Sequence, residues 1–347
     1  MPAYYERFVC KCGECRSVCC GGWGITLSRN EYYRLLGLTC PAELRRRLDC
    51  AVQVKASPTP ESYASMAPGF DGRCRLIDDE GYCSLQRACG EDVLPSVCRL
   101  YPRSIKRGTM AELCCSGSCE NTVELLMHEP CPLRMVTKEK PYAGTLPESI
   151  AADTQRAAIR EQCIAVMQGS GKTIPERIDA IGALLCGSSA RMPAERRTFL
   201  QTAYRMVTVF DDVSPNIADY GGEALRLLAL PEDGAAEAVT DETVALYDAA
   251  QHRLYEVLPG CDGYYENLLV NHMFYEQFPY VGAGTSPRDA YVGLCAGYIL
   301  LRFLTVCRMG RPDAGANDFA DAAAAAFRYI EHSDFYRNAC VVMRMFI

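Results

Sequence analysis

The chain carries no excess of positive charge: 36 Lys and Arg stand against 43 Asp and Glu, for a formal net charge of −7. Phosphate contacts need a basic surface, so nucleic acid is not expected as the main partner. Arg99, Arg103, Lys106 and Arg107 form only a local basic patch, of the kind that pairs within a fold or faces solvent. Long apolar runs are missing as well. The strongest, 291–301, stops at Arg302, short of the about 20 residues a bilayer needs. It reads as a buried helix, and no membrane partner is expected. Residues 1–11 carry Glu6, Arg7 and Lys11 and lack the apolar core of an export signal, which points to the cytoplasm and reduced thiols.

Complete generic motifs are also absent. Gly169-Ser-Gly171-Lys172-Thr173 ends like a phosphate-binding loop, but Val166 stands where that pattern needs glycine. Gly282 and Gly284 lead to Pro287, where a dinucleotide fingerprint wants Gly or Ala. Cys15 and Cys19 fit part of the radical-enzyme spacing, yet the next position in it is Gly22, and the ferredoxin run does not occur either. Cys12 and Cys15 have no second Cys-x-x-Cys to complete a zinc ribbon. No internal repeat stands out.

What the chain does have is cysteine, 21 in all, with 15 before Pro132 and the densest stretch at Cys10, Cys12, Cys15, Cys19 and Cys20. Thiolates bind zinc or iron best when several converge, and short spacings bring them together at little entropic cost. A disulfide framework is the competing reading. An odd count, a chain of 347 residues with ample core and the missing export signal all favour metal.

Length and composition suggest two domains. Residues 1–135 hold 17 Lys and Arg against 16 Asp and Glu, so the acidic excess lies in 136–347, which is also rich in alanine. The spacing predicts helices over 148–168, 175–187, 193–210, 222–230, 240–258, 264–278, 287–309 and 317–332. Phe199, Leu200, Ala203, Met206, Val207 and Phe210 form one apolar stripe. The fold class expected is mainly α, a helical array or bundle behind an irregular cysteine-rich metal-binding module over 1–135. In that module Ser28 is placed to cap a short helix over 28–36, and 51–69, rich in Pro and Ser, reads as loop. Metal coordination can fix such a segment in place of core burial.

Phe8-x-Cys10, Cys15, Cys19-Cys20-x-x-Trp23-x-Ile25, Asp71-Gly72-x-Cys74, Gly81-Tyr-Cys83-x-Leu-Gln86, Gly90-Glu91 and Cys98-Arg-x-Tyr101-Pro102-Arg103 together resemble the flagellin lysine-N-methylase family, FliB. Ser118-Cys119-Glu-Asn continues the likeness where the family tends to read Ser-Cys-Pro-Glu, and Glu266-Asn267-Leu-Leu-Val-Asn271 to Phe278-Pro279 resembles a second family segment. The resemblance implies methyl transfer from S-adenosylmethionine to lysine side chains of flagellin in the bacterial cytoplasm, with a zinc or iron–sulfur (4Fe-4S) site. The matching cysteines, which the resemblance implies as metal ligands, are Cys10, Cys15, Cys19, Cys20, Cys74, Cys83, Cys98 and Cys119; eight exceeds one four-ligand site, so either two sites exist or some of these thiols serve in packing. Cys12, Cys40, Cys50, Cys89, Cys114, Cys115 and Cys131 have no placed counterpart. Cys163, Cys186, Cys261, Cys295, Cys307 and Cys340 read as core.

A lysine amine attacks only when neutral, against a free pKa of about 10.4, and a sulfonium donor suits an anionic or aromatic cradle. Tyr264, Tyr265, Glu266, Asn267, Asn271, His272 and Tyr275 share one predicted helix, and Glu266 and Asn267 are the candidate catalytic residues. Their alternative duty is to satisfy backbone groups in a packed helix pair. Arg103 could hold the donor's carboxylate bidentately or make a surface ion pair. Tyr101 and Trp23 are the other candidate cofactor contacts, Trp23 being equally suited to the core of the module. The alternative to an enzyme is a metal or iron–sulfur binding protein whose helical domain recruits a protein partner.

Overall fold

Ser28 caps as its position predicts. In the computed structural model its Oγ accepts from the Glu31 backbone N–H at 3.3 Å. The Glu31 carboxylate in turn accepts from the backbone N–H groups of Ser28 at 2.8 Å and Ser96 at 2.7 Å. The capping box therefore also anchors a second helix. The structure describes residues 1–17, 19–21, 24–70, 72–107, 111–139, 154–187, 191–209, 215–232, 235–282 and 284–343. It divides into two units, Val9–Tyr101 and Met1–Phe8 with Pro102–Ile347.

The first unit holds β1 (Ile25–Leu27), α1 (Arg29–Leu36), α2 (Ala42–Ala51), β2 (Val52–Val54), β3 (Ala64–Met66), α3 (Ser84–Cys89) and α4 (Ser96–Leu100). The loop expected over 51–69 is in part a sheet: β3 lies between β1 and β2, antiparallel to both, with Ile25 and Val52 each opposite Met66. Ser57, Pro58, Pro60 and Ser62 sit in the β2–β3 connection, while β3 alternates buried and half-buried positions as a one-sided strand does. Ile25, Leu27, Leu35, Leu44, Leu48 and Met66 are part of one buried cluster, so this unit has an apolar core of its own.

The second unit begins with a β4 (Arg103–Arg107) and β5 (Ala111–Cys115) hairpin, then α5 (Glu120–His128). After it come α6 (Thr154–Met167), α7 (Ile174–Cys186), α8 (Arg196–Val209), α9 (Pro215–Leu227), α10 (Asp241–Val257), α11 (Cys261–Tyr275), α12 (Pro287–Met309), α13 (Ala316–His332) and α14 (Phe335–Met343). Fourteen α-helices among the described residues make the protein mainly α. Seven of the eight predicted back-half helices appear with ends shifted by a few residues, and α9 begins before its predicted start; 148–153 and Phe210 lie outside the described residues. The hairpin, α5 and α14 were not expected.

The division also falls elsewhere than 135. Cys115, Val123, Leu126 and Leu133 are buried in the helical core, and Pro2 bridges Met135. The described residues of 102–135 thus belong with the helices despite their cysteines.

The pivot of the helical unit is α12, which packs against α7, α8, α9, α10, α13 and α14. Ser286 caps it, accepting from Asp289 N–H at 3.1 Å, and Pro287 takes the first turn, where its missing N–H costs nothing. Among the described helices it is the one long and apolar enough to cross a bilayer, and its most apolar window is wholly buried, as a central core helix must be. Gly293 lets α14 approach: a Cβ there would meet the Tyr336 ring at 2.1 Å. Arg302, also buried, donates to Tyr255 Oη at 2.8 Å and lies over the Tyr265 ring at 4.9 Å.

Candidate active site

Two places gather chemically capable side chains, one in each unit. In the first, the backbone N–H of Cys74 donates to Cys20 O at 2.7 Å, and Ile77 bridges Cys83. These pairings draw separate cysteine segments together. Cys19 and Cys20 sulfurs lie 3.8 Å apart. The Cys20 thiol is raised by its bond to Cys19, then by burial, with Cys74 and Cys98 adding repulsion. Burial pushes the Cys98 thiol up to about 12, with Cys74, Cys83 and Cys19 adding to it. Burial raises Cys74 and Cys83 as well. Cys19, Cys20, Cys74, Cys83 and Cys98 are thus close enough for each charge to oppose the next, the condition a bound cation relieves.

Soft sulfur donors of this kind fit zinc or an iron–sulfur cluster in chemistry. No three His, Cys, Asp or Glu among the described residues are grouped tightly enough to hold a metal ion. The unit supplies the donors without a formed coordination sphere. Cys10 is exposed, with its sulfur accepting from the Cys12 N–H at 3.3 Å, and Cys15 is half-buried. Cys119 belongs to the helical unit, where it precedes α5 and neighbours Cys115. Of the six back-half cysteines, Cys163, Cys261, Cys295 and Cys307 are buried, and Cys186 and Cys340 half-buried.

The cofactor candidates fare differently. Arg103 donates to the Phe8 carbonyl at 2.9 Å and lies 4.8 Å over the Phe8 ring, a structural engagement in place of either expected carboxylate contact. Tyr101 is half-buried at the end of α4, in the other unit from Arg103. Trp23 lies outside the described residues.

Glu266 and Asn267 are both buried on α11. Arg177 pairs with the Glu266 carboxylate. Burial and a hydrogen bond to that same carboxylate push the Cys131 thiol up to about 12. Asn267 Nδ2 donates to the carbonyls of Leu126 at 3.1 Å and Glu129 at 3.2 Å, closing the end of α5. Asn271 Oδ1 accepts from Tyr4 Oη at 2.6 Å, and its Nδ2 donates to Cys115 O at 3.0 Å. The helix picked from the sequence therefore uses these residues to bind the hairpin and α5.

Further along α11 lies the second gathering. His272 contacts Glu331 Oε1 through Nδ1 at 3.0 Å and Tyr336 Oη through Nε2 at 2.8 Å. Ser116 Oγ donates to Glu331 Oε2 at 2.5 Å, and Ser118 Oγ meets His332 Nε2 at 2.8 Å. Beside them stand Tyr275, raised by burial, and the Glu276 carboxyl, raised by burial and by Glu331 against the opposing pull of His272 and Lys106. Two acids, two imidazoles and two tyrosines thus meet where β5, α11, α13 and α14 converge. His272 and Tyr275 were visible in the predicted helix. Ser116, Glu276, Glu331, His332 and Tyr336 were missed, because only the tertiary fold joins them.

All of this second gathering except Ser116, Ser118 and Lys106 falls in a stretch with known relatives. Residues 190–343 match the family model described as the FliB lysine N-methylase C-terminal domain. This bears out the resemblance read from the sequence, over that stretch of the helical unit. The chain is 27% identical over 103 residues to the lysine-N-methylase of Salmonella typhimurium, covering 30% of this chain and 25% of that one. The match to the lysine-N-methylase of Salmonella choleraesuis has the same extent. The flagellar biosynthetic protein FliU of Salmonella muenchen is 25% identical over 103 residues, 60% of its length. The match thus spans about a quarter of the two methylases. No solved structure matches.

Proposed function

We propose that the protein is a lysine N-methyltransferase acting in the cytoplasm on flagellin, with S-adenosylmethionine as donor and a cysteine-ligated zinc or 4Fe-4S site in the first unit. The observation that carries this reading is the position of the polar gathering around His272, Glu276 and Glu331 within the stretch matched to the lysine N-methylase domain. Both reactants are cations, one an ammonium and one a sulfonium. Carboxylates and tyrosine rings are the groups that stabilise such cations. The donor, when bound, supplies an electrophilic methyl group. Cys19, Cys20, Cys74, Cys83 and Cys98 would hold the metal, whose contribution there is to fix the folded unit.

The test is methyl incorporation. Protein purified without oxygen is incubated with radiolabelled S-adenosylmethionine and flagellin monomer, and its iron, sulfide and zinc contents are measured. Label on flagellin lysines is expected, and no label from metal-loaded protein sinks the reading. The separation of the clustered thiols into a unit of their own favours, as a second reading, a metal-binding protein that recruits a partner. That reading expects metal without affinity for the donor.

A further inference from the structure

The lysine to be methylated must lose a proton before it can attack, and the acidic groups beside His272 differ in their freedom to take it. Glu331 is fully engaged: one oxygen meets His272 Nδ1 at 3.0 Å and the other accepts from Ser116, and its side chain is entirely buried. Glu276 closes α11, its backbone N–H donating to His272 O at 2.9 Å. Its carboxyl is half-buried, and its interactions with the described residues are electrostatic, with no hydrogen bond among them. It is the one acid of the group left available to a ligand.

A second observation marks the kind of ligand. Lys106 Nζ, on β4, lies 5.4 Å from the centre of the Tyr275 ring, within electrostatic reach of Glu276. An ammonium on a flexible lysine stem is thus already accommodated on the ring next to the unengaged acid. Such a position suits a cation twice over, through the face of the ring and through the carboxylate.

We propose that a substrate lysine ammonium displaces Lys106 from the face of Tyr275 and binds there in its stead, and that Glu276 is the catalytic residue that takes its proton. This rests on the methyltransferase reading. The Glu276 carboxylate receives one proton from the ammonium and becomes a neutral acid. The neutral amine then directs its lone pair at the methyl carbon of the sulfonium donor. The N–C bond forms as the C–S bond breaks, and the bonding pair stays on sulfur as a thioether. The product is a methylammonium, and Glu276 returns its proton to solvent.

Glu276 faces His272 on its own helix, Glu331 from α13, Tyr336 from α14 and Lys106 from β4. Burial and the neighbouring Glu331 hold its carboxyl above the ordinary range, which brings it nearer to a useful proton acceptor at neutral pH. Ser116, His272 and Tyr336 are positioning residues that keep Glu331 from collapsing onto it.

The experiment compares wild type, Glu276→Gln and Glu276→Asp with S-adenosylmethionine and flagellin across pH, alongside binding of S-adenosylhomocysteine. Glu276→Gln is expected to lose about 10²–10⁴ in kcat/KM at pH 7 with donor-site affinity unchanged. Its rate should recover towards pH of about 10, where solvent itself deprotonates lysine. Glu276→Asp should regain part of the loss at pH 7. A Glu276→Gln rate within twofold of wild type at pH 7 overturns the proposal, and so does a loss that high pH does not recover.

A second readout needs no methyl transfer. n-Butylammonium, the truncated lysine side chain, is titrated into protein carrying ¹³C-labelled glutamate carboxyls. It is expected to shift the signal that Glu276→Gln lacks, and no shift overturns the site. Butylammonium binding without methyl incorporation by wild type would sink the methyltransferase reading while leaving the ammonium site standing.

Discussion

Replacing Arg177 with Met removes the partner of a buried carboxylate and separates structure from chemistry at Glu266. The Glu266 side chain is 6% exposed and that of Arg177 14%. Arg177 also donates to the carbonyls of Met167 at 2.9 Å and Lys172 at 2.9 Å, tying the α6–α7 turn to α11. Leaving one buried charge without its partner costs about 3–5 kcal/mol. In a unit of this size 1 kcal/mol moves Tm by about 2–4 °C, so Arg177→Met should lower the helical unit's Tm by roughly 10 °C. Removing both charges, in Arg177→Met with Glu266→Leu, should recover most of the loss, because an apolar pair of similar volume avoids the desolvation penalty. Urea unfolding followed by far-ultraviolet circular dichroism on the four proteins of the cycle gives the coupling directly. A cost below about 1 kcal/mol for Arg177→Met, or a Glu266→Gln variant of unchanged stability that no longer transfers methyl groups, refutes the structural reading of Glu266.

Three further outcomes are expected. Burial opposes the charge on Glu31, but the hydrogen bonds from Ser96 and Ser28 prevail and hold its carboxyl down at about 2. Glu31→Gln should therefore cost the first unit about 1–2 kcal/mol at pH 7, a difference from wild type that fades as pH falls from about 4.3 to about 2 in acid titrations of stability. Gly293→Ala should cost about 1–3 kcal/mol by overpacking and, by displacing the Tyr336 ring that holds His272, lower kcat more than donor affinity; unchanged kinetics would break that link. Cys98→Ser should lower metal content in anaerobic preparations while Cys119→Ser leaves it intact, since the two lie in different units; equal losses measured by elemental analysis would contradict the assignment of ligands to the first unit.

Several helices of the back half are legible because they carry their own punctuation. Thr173 with Glu176, Thr240 with Thr243 and Ser286 with Asp289 all form the boxes that start α7, α10 and α12. The β2–β3 pair is not, because three-residue strands give too short an alternation to outweigh the Pro and Ser between them. The same limit applies to the site. His272 and Tyr275 share the predicted helix with Glu266 and Asn267, and spacing alone does not tell them from that pair, whose polarity serves the α7 and α5 contacts. Glu276 looks like an ordinary helix end until α13 brings Glu331 within electrostatic reach of it. No local spacing encodes that meeting. In the cysteine-rich unit the sequence named the thiols, and the fold sorted them: Cys19, Cys20, Cys74, Cys83 and Cys98 lie within electrostatic reach of one another, whereas Cys119 belongs to the other unit.

The contact between Arg103 and Phe8 has a consequence for how the protein can be altered. Phe8 is the last residue of the helical unit before the cysteine-rich stretch and Pro102 the first after it, so the 2.9 Å bond ties exit and re-entry together. To the helices, everything between is a side loop already closed at its base. Its length enters their stability only logarithmically, about 0.6 kcal/mol for each doubling. The cysteine-rich stretch is then replaceable cargo on a finished scaffold: a short Gly-Ser bridge from Phe8 to Pro102 should give a protein in which the helices stand alone, without the eleven cysteines of the first unit.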